Sequence, residues 1–264
     1  MPISPAEAQR AELLEEFDLE DRAAAHEPFL HSAFTLRETQ QERLETGETR
    51  LGGAPDLPAD LAWPTAGERR LAFLAQINMA DARPSHPRLP PAGLLSFFHR
   101  VGEAKEGKRE GRVLYTAAQA SLEPRAAPGG GRGSASRRGL LWPRLSFDPS
   151  QADAFLVAAG WDAFPEAFFA TFSEITEPDP GPNHRLMTQA PPLEGPLSAA
   201  ARAAAETARA KGWTALTDPS AWFALAEFEE GGAAALELGD APRVTFMANR
   251  IDAPKGDFAR VVAY

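Results

Sequence analysis

The sequence predicts a mixed α+β fold in one domain, residues 1–264, with its middle between residues 71 and 98. Three observations predict it. Leu71 to Asn78 and Leu94 to Phe98 are apolar on both faces, as interior strands are. The 24 prolines and 21 glycines punctuate the chain around these segments and bar long helices there. Helical periodicity is confined to other stretches, such as Ser4 to Ala25 and the alanine-rich Ala199 to Ala210.

Taken in order, Ser4-Pro5 offers an N-cap and a proline at the first helical position. Ala11, Leu13, Leu14 and Phe17 then recur at helical spacing. After Glu27-Pro28, Phe34 and Leu36 begin a polar segment, Thr35 to Glu48, whose pattern fits an exposed strand or a helix. Residues 1–48 read as a lead-in. Gly52-Gly53 frees the backbone for positive φ, and Pro55, Pro58 and Pro64 exclude a helix. In the strand that follows, Leu71, Phe73, Ala75 and Ile77 fall on one side and Ala72, Leu74 and Gln76 on the other. Met79 to Ala92 is a proline-rich loop. Strands follow at Leu94–Phe98 and Gly111–Ala117.

Arg125 to Gly139 is dominated by Gly, Ser and Arg and reads as a mobile loop. Its arginines are also a candidate dock for an anion or an acidic partner. Asp148-Pro149 caps a helix over Gln151–Ala159, and Pro165–Ser173 is a short aromatic helix whose rings belong to a core. Glu177–Pro182 is a turn. Ser198 caps the helix Ala199–Ala210, which Gly212 ends. Strands are expected at Trp222–Phe228, Ala235–Leu238, Arg243–Ala248 and Ala259–Ala263.

Composition narrows function. Sixteen Phe against two Tyr imply a core of rings that need no polar partner. A net charge of -10 argues against nucleic acid and anionic membranes as partners. The absence of cysteine removes disulfides, thiolate nucleophiles and Cys-rich zinc sites. The N-terminus lacks a signal-peptide pattern and no apolar run is long enough to span a bilayer, so a cytoplasmic protein is expected.

Two parts of the chain echo each other. Leu74-Ala75-Gln76-Ile77-Asn78 is similar to Leu225-Ala226-Glu227-Phe228-Glu229. Pro91 to Phe98 is similar to Asp240 to Met247. One reading is internal duplication of a β unit, pairing about a pseudo-twofold axis. The other is that any two amphipathic strands look alike.

Three segments together resemble the YwqG-like family of bacterial proteins, a domain of unknown function. The first is Arg50-Leu51-Gly52-Gly53-Ala54-Pro55-Asp56-Leu57-Pro58 with Trp63-Pro64. The second is Leu71 to Asn78 with Leu89-Pro90 and Gly93 to Phe98. The third is Gly239-Asp240, Val244-Thr245-Phe246 and Asp257 to Val261. The resemblance implies a soluble α+β fold of mainly antiparallel sheets with flanking helices, and no reaction. Relatives carry a His-Arg-Leu-Leu-Gly segment followed by Gln-Gly. Here His184-Arg185-Leu186-Met187 keeps its start, Thr188 replaces the glycine, and no Gln-Gly follows.

Candidate chemistry is sparse. The histidines (His26, His31, His86, His99 and His184) form no metal-binding pair by spacing, and a metal would need distant residues such as His99 or His184 with Asp240 to converge. A Ser96–His184–Asp240 set has no support from spacing. Gln76 and Asn78 end a buried strand, where polar side chains must find partners. Trp63 precedes that strand, and His184-Arg185 falls in a loop. Gathered at one cleft, these residues suit a peptide or small polar ligand; otherwise Gln76 and Asn78 tie down the loops after their strand, and Arg185 holds a structural carboxylate. The favoured expectation is a non-enzymatic module binding a protein, peptide or small polar ligand through Trp63, Gln76, Asn78, His184, Arg185 and Asp240. The alternative is an enzyme with a metal-independent polar site near His184 and Asp240. No cofactor or metal is implied.

Overall fold

A computed structural model describes residues 3–83, 86, 88–102, 109–128, 135–147, 151–176, 184–187, 196–240 and 242–264. Among these residues five α-helices accompany one ten-stranded antiparallel sheet. The helices are α1 (Pro5–Glu16), α2 (Ala23–His26), α3 (Ala152–Ala159), α4 (Phe168–Thr176) and α5 (Pro196–Ala210). The strands of the sheet are β1 (Leu30–Glu38), β2 (Arg50–Leu51), β3 (Ala72–Asn78), β4 (Leu94–His99), β5 (Gly111–Thr116), β6 (Arg137–Phe147), β7 (His184–Leu186), β8 (Trp222–Glu229), β9 (Arg243–Asn249) and β10 (Val262–Ala263). Short two-residue pairs, Asp56–Leu57 with Glu123–Pro124 and Thr65–Ala66 with Arg69–Arg70, lie outside it.

Spatially the strands run β10-β9-β8-β7-β1-β6-β2-β3-β4-β5. The two ends then approach each other. The Arg109 N–H just before β5 donates to the Ala263 carbonyl on β10 at 2.9 Å, so the sheet is nearly a barrel. Inside it, Phe97 on β4 meets Phe228 on β8 and Phe246 on β9, with centroids 5.1 and 5.3 Å away. All three rings are fully buried. The aromatic count of the sequence is thus placed where edge-to-face packing needs no hydroxyl partner.

From each end four strands descend in chain order, β10-β9-β8-β7 and β5-β4-β3-β2, with β1 and β6 flanking the midpoint. Matching details recur in each half. The β3–β4 ladder shifts register between Phe73 and Ala75, and the β8–β9 ladder between Ala224 and Ala226. Beside the first irregularity, Gly52 (φ 64°) donates its N–H to the Leu74 carbonyl at 2.7 Å. Beside the second, Met187 (φ 61°) donates to the Leu225 carbonyl at 2.8 Å. The shift also corrects the simple alternation expected for β3. Leu71 and Phe73 pack with Phe98 in a small outer cluster, while Leu74, Ala75 and Ile77 enter the main core.

Helices cover the rest. Ser4 and Glu7 form a capping box at the start of α1, with the Glu7 N–H donating to Ser4 Oγ and the Ser4 N–H to Glu7 Oε2. Helices α1, α3 and α4 enclose Phe147, Phe155, Phe168 and Phe172, confirming the aromatic segment as core. Helix α5 lays Ala204, Ala205 and Ala208 against Trp222, Ala224 and Met247.

Several expectations need correction. Strand β6 occupies the end of the Arg125–Gly139 stretch and continues to Phe147, where no element was expected; residues 129–134 lie outside the described residues. Thr35–Glu38 belongs to an interior strand, paired with both β6 and β7. His184-Arg185 is in a strand, not a loop. Ala235–Leu238 is a turn with a single bridge from Gly231 to Leu236. The final strand is only Val262–Ala263, and α5 begins at Pro196 rather than at a Ser198 cap. Asp148-Pro149 and Glu177–Pro182 lie outside the described residues. Among the described residues no helix is long and apolar enough to cross a membrane.

The closing seam has no spare room. A Cβ added at Gly111 would lie 2.7 Å from Ala263 Cβ and 2.8 Å from Phe246 Cε1. Gly111→Val is therefore expected to cost about 1–3 kcal/mol by overpacking, read as a lower urea midpoint; an unchanged midpoint would mean the two ends do not press together.

Candidate functional site

The polar residues that end β3 are organised by the turns on either side of β2. Asp56 is completely buried, and its Oδ2 accepts from Arg50 Nη2 at 2.6 Å, Gln76 Nε2 at 2.7 Å and the Gly47 N–H at 2.8 Å. Gln76 Oε1 accepts the Asp56 N–H at 2.7 Å, and Gln76 Nε2 also donates to the Glu48 carbonyl at 2.8 Å. Arg50 holds the same turns by donating to the carbonyls of Ala54 and Glu45, each at 3.0 Å. Burial pulls its guanidinium below the usual arginine range, against the opposing pull of Asp56 and Glu48. Both amide hydrogens of Gln76 have acceptors inside the fold.

Asn78, two residues on, lies at the boundary. Its Nδ2 donates to the Gly47 carbonyl at 2.9 Å and its N–H to Thr49 Oγ1 at 2.9 Å. Thr49 Oγ1 in turn donates to Asp81 Oδ2 at 2.6 Å. Two clefts meet at Asn78. One, about 440 Å³, is walled by small groups including Gly47, Ala92, Gly93, Ala118 and Ala120. The other, about 300 Å³, is polar, with Glu48, Thr49, Asp81 and Arg138 along it. Arg138 faces Glu48 at 3.5 Å.

The remaining candidates have separate partners. Trp63 donates from Nε1 to the Leu71 carbonyl at 2.9 Å and stacks edge-on to Phe98. His184 is fully buried. Its Nδ1 accepts the Glu229 N–H at 3.2 Å, which leaves the proton on Nε2 to donate to Glu38 Oε1 at 3.2 Å. Thr49 and His184 occupy matching places in the two halves, each accepting the N–H of the residue that ends the neighbouring long strand, Asn78 or Glu229. Arg185 approaches Glu227 at 3.7 Å. Asp240 pairs with Arg109 at 2.5 Å, while Arg109 also donates to the Leu238 carbonyl at 2.7 Å. His184 thus meets Glu38 as its carboxylate, and Asp240 meets a guanidinium. Ser96 is buried beside Gln76 in register, and its hydroxyl has no hydrogen-bond partner among the described residues. In the arginine-rich stretch, Arg125 donates to the carbonyls of Pro58, Ala59 and Leu61, and Arg137 pairs with Glu42.

His99 is a further buried group. It donates from Nε2 to the Glu237 carbonyl at 3.1 Å. Burial lowers it to about 4, aided by Arg109 and opposed by its backbone hydrogen bonds.

The segments Arg50 to Pro58, Leu71 to Asn78 and Val244 to Phe246, set out at the start, lie on or beside β2, β3 and β9. Residues 49–264 match the family described as Domain of unknown function (DUF1963). The chain belongs to that family. No curated protein matches it. The DUF1963 match begins at Thr49, so β1, which sits at the centre of the sheet, precedes the matched region.

Sequence reasoning missed Asp56, Glu38 and Arg109, the residues that hold Gln76, His184 and Asp240. Only Asp56 left a signal, an acid set between Pro55 and Leu57 in an otherwise apolar and glycine-rich run.

Asp56→Ala strands the buried Arg50 guanidinium and is expected to cost about 3–5 kcal/mol, read from chemical denaturation; a loss typical of a surface site would show that Arg50 finds another partner. Glu38 supplies a pH test. Burial would raise its carboxyl, but hydrogen bonds from His184, Ala234 and Ala233 outweigh burial and hold it below the usual glutamate range. Its stabilisation is therefore present above the unfolded glutamate value and lost as pH falls through the depressed folded one. Glu38→Gln is expected to lose less stability between neutral pH and acid than the wild type does, measured by circular dichroism against pH.

Proposed function

We propose that this DUF1963 domain is a non-enzymatic binding module, and that a short peptide or small polar ligand sits across Asn78. The observation that carries this reading is the meeting of two clefts of unlike chemistry at one side chain held from both sides. The wall of small residues in the larger cleft admits close approach of an extended chain or flat group. The smaller cleft offers carboxylates, a hydroxyl and a guanidinium for orientation. The net charge supports a ligand other than nucleic acid or an anionic membrane. The YwqG-like likeness, a bacterial source and a cytoplasmic setting belong to this same reading.

We also infer that the two halves descend from one duplicated β unit. The mirrored strand order, the paired register shifts and the matched N–H donations of Gly52 and Met187 support it.

The enzyme alternative rests on the His184–Glu38 contact. Against it stands the full burial of His184 with both ring nitrogens engaged.

Ala118 is exposed and lines the larger cleft, so Ala118→Trp fills that space without touching the core. Small molecules released from the purified chain by denaturation, or a peptide library captured on it, would be compared by mass spectrometry. The reading expects Ala118→Trp to lose the ligand with stability within about 0.5 kcal/mol of wild type. Unaltered capture by this variant would remove the site.

A further inference from the structure

We propose that the outer face of the sheet carries a second site, one that binds an oxyanion group, a phosphate or a carboxylate, at Arg144 and Arg185. Antiparallel pairing alternates side chains between faces, and the register puts Trp142, Thr35, Arg185, Glu227 and Thr245 in a row on one face, with Arg144 two residues along from Trp142. On β8 and β9 this is the face that α5 covers through Trp222, Ala224 and Met247.

The charges along the row do not balance. Glu227 is 2% exposed; Thr245 Oγ1 donates to it at 3.1 Å, and Arg185 and Arg243 approach it at 3.7 and 3.6 Å. Arg243 also pairs with Glu229 at 2.8 Å. Among the described residues Glu227 and Glu229 thus pair with Arg185 and Arg243, and Arg144 has an ion pair with neither. It is only 8% exposed, and its Nη1 is buried without a hydrogen-bond acceptor among the described residues. The Nε of Arg185 is buried without one as well. Burial, with the like charge of Arg185, lowers Arg144 to about 10 despite the pull of Glu227, so it remains a cation at neutral pH.

A buried guanidinium without an acceptor is costly to keep, and two adjacent guanidiniums present the planar forks that match carboxylate and phosphate oxygens. A bound oxyanion would supply the missing acceptors and the missing charge together. Access runs along the row, where Arg243 and Trp142 are each about half exposed and the Arg37 guanidinium stacks on the Trp142 ring at 5.0 Å. None of these residues lines the clefts at Asn78, so the site stands or falls apart from the reading above.

The test is thermal unfolding of the full chain in potassium phosphate, potassium acetate and potassium chloride at matched ionic strength. Wild type is expected to gain a saturable rise in Tm from phosphate, acetate or both, relative to chloride. Phosphate alone would point to a phosphate-bearing ligand, acetate alone to a carboxylate-bearing one, and both to their shared chemistry. Arg144→Met should lose the rise and, in chloride, be no less stable than wild type. Arg202→Met, at an exposed position of α5, should keep the rise. No rise in wild type, an equal rise in Arg144→Met, or a marked loss of stability of Arg144→Met in chloride would overturn the proposal.

Discussion

The sheet has to come nearly full circle, because its interior is sealed by rings contributed from opposite ends of the strand order. Phe97 belongs to the half that ends in β5, whereas Phe228 and Phe246 belong to the half that ends in β10. An open sheet would leave three large apolar side chains facing water, each giving up about 1.5–3 kcal/mol of burial. Closure also leaves few unpaired edge groups, which is what the hydrogen bond from Arg109 to Ala263 accomplishes. Arg109 then reaches past the seam to Leu238 and Asp240, so the candidate Asp240 acts as a clasp for the barrel.

Closure demands curvature, and the irregularities supply it in matched places. A shift of register beside Leu74 and another beside Leu225 bend the two long hairpins, and each is met by a residue with positive φ just past the end of the short neighbouring strand. Gly52 meets the left-handed conformation without a Cβ, while Met187 holds it as a residue that rarely adopts it. The bend in β3 also decides where function is possible. It carries Gln76 inward to Asp56 and leaves Asn78 at the rim, where the clefts begin.

Much of the architecture was legible because β3, β4, β8 and β9 are buried on both faces and so are predominantly apolar, with single polar residues such as Gln76, Ser96, Glu227 and Thr245 set among them. Strand β6 was not. It opens with Arg137-Arg138-Gly139, contains Pro143, and alternates Arg144 and Ser146 with its apolar residues, so its polar face mimics a loop. Its partner β1 was obscured in the same way by His31, Thr35 and Arg37. Strand β7 is three residues long, too short for any periodicity, and its place is fixed only by pairing with β1 and β8. The candidate residues themselves were recognisable as polar groups in apolar surroundings. Their partners were not, because Gln76 meets Asp56 twenty residues away and His184 meets Glu38 across almost 150 residues of chain.

The two halves solve the same electrostatic problem with different chemistry. Arg50 and Arg185 occupy matching positions on the short strands, opposite Gln76 and Glu227 respectively. In the first half Asp56 folds in from the following turn and neutralises Arg50, so the cross-strand partner can be a neutral amide. The second half has no such acid among the described residues, and the cross-strand partner is itself the carboxylate. Glu227 is shared with Arg243, which reduces what it can give Arg185 and leaves Arg144 only a longer-range attraction. The surplus charge on the outer face arises where the two halves meet, because Arg144 stands on β6, in the half that ends in β5, beside an Arg185 whose carboxylate is already shared with Arg243.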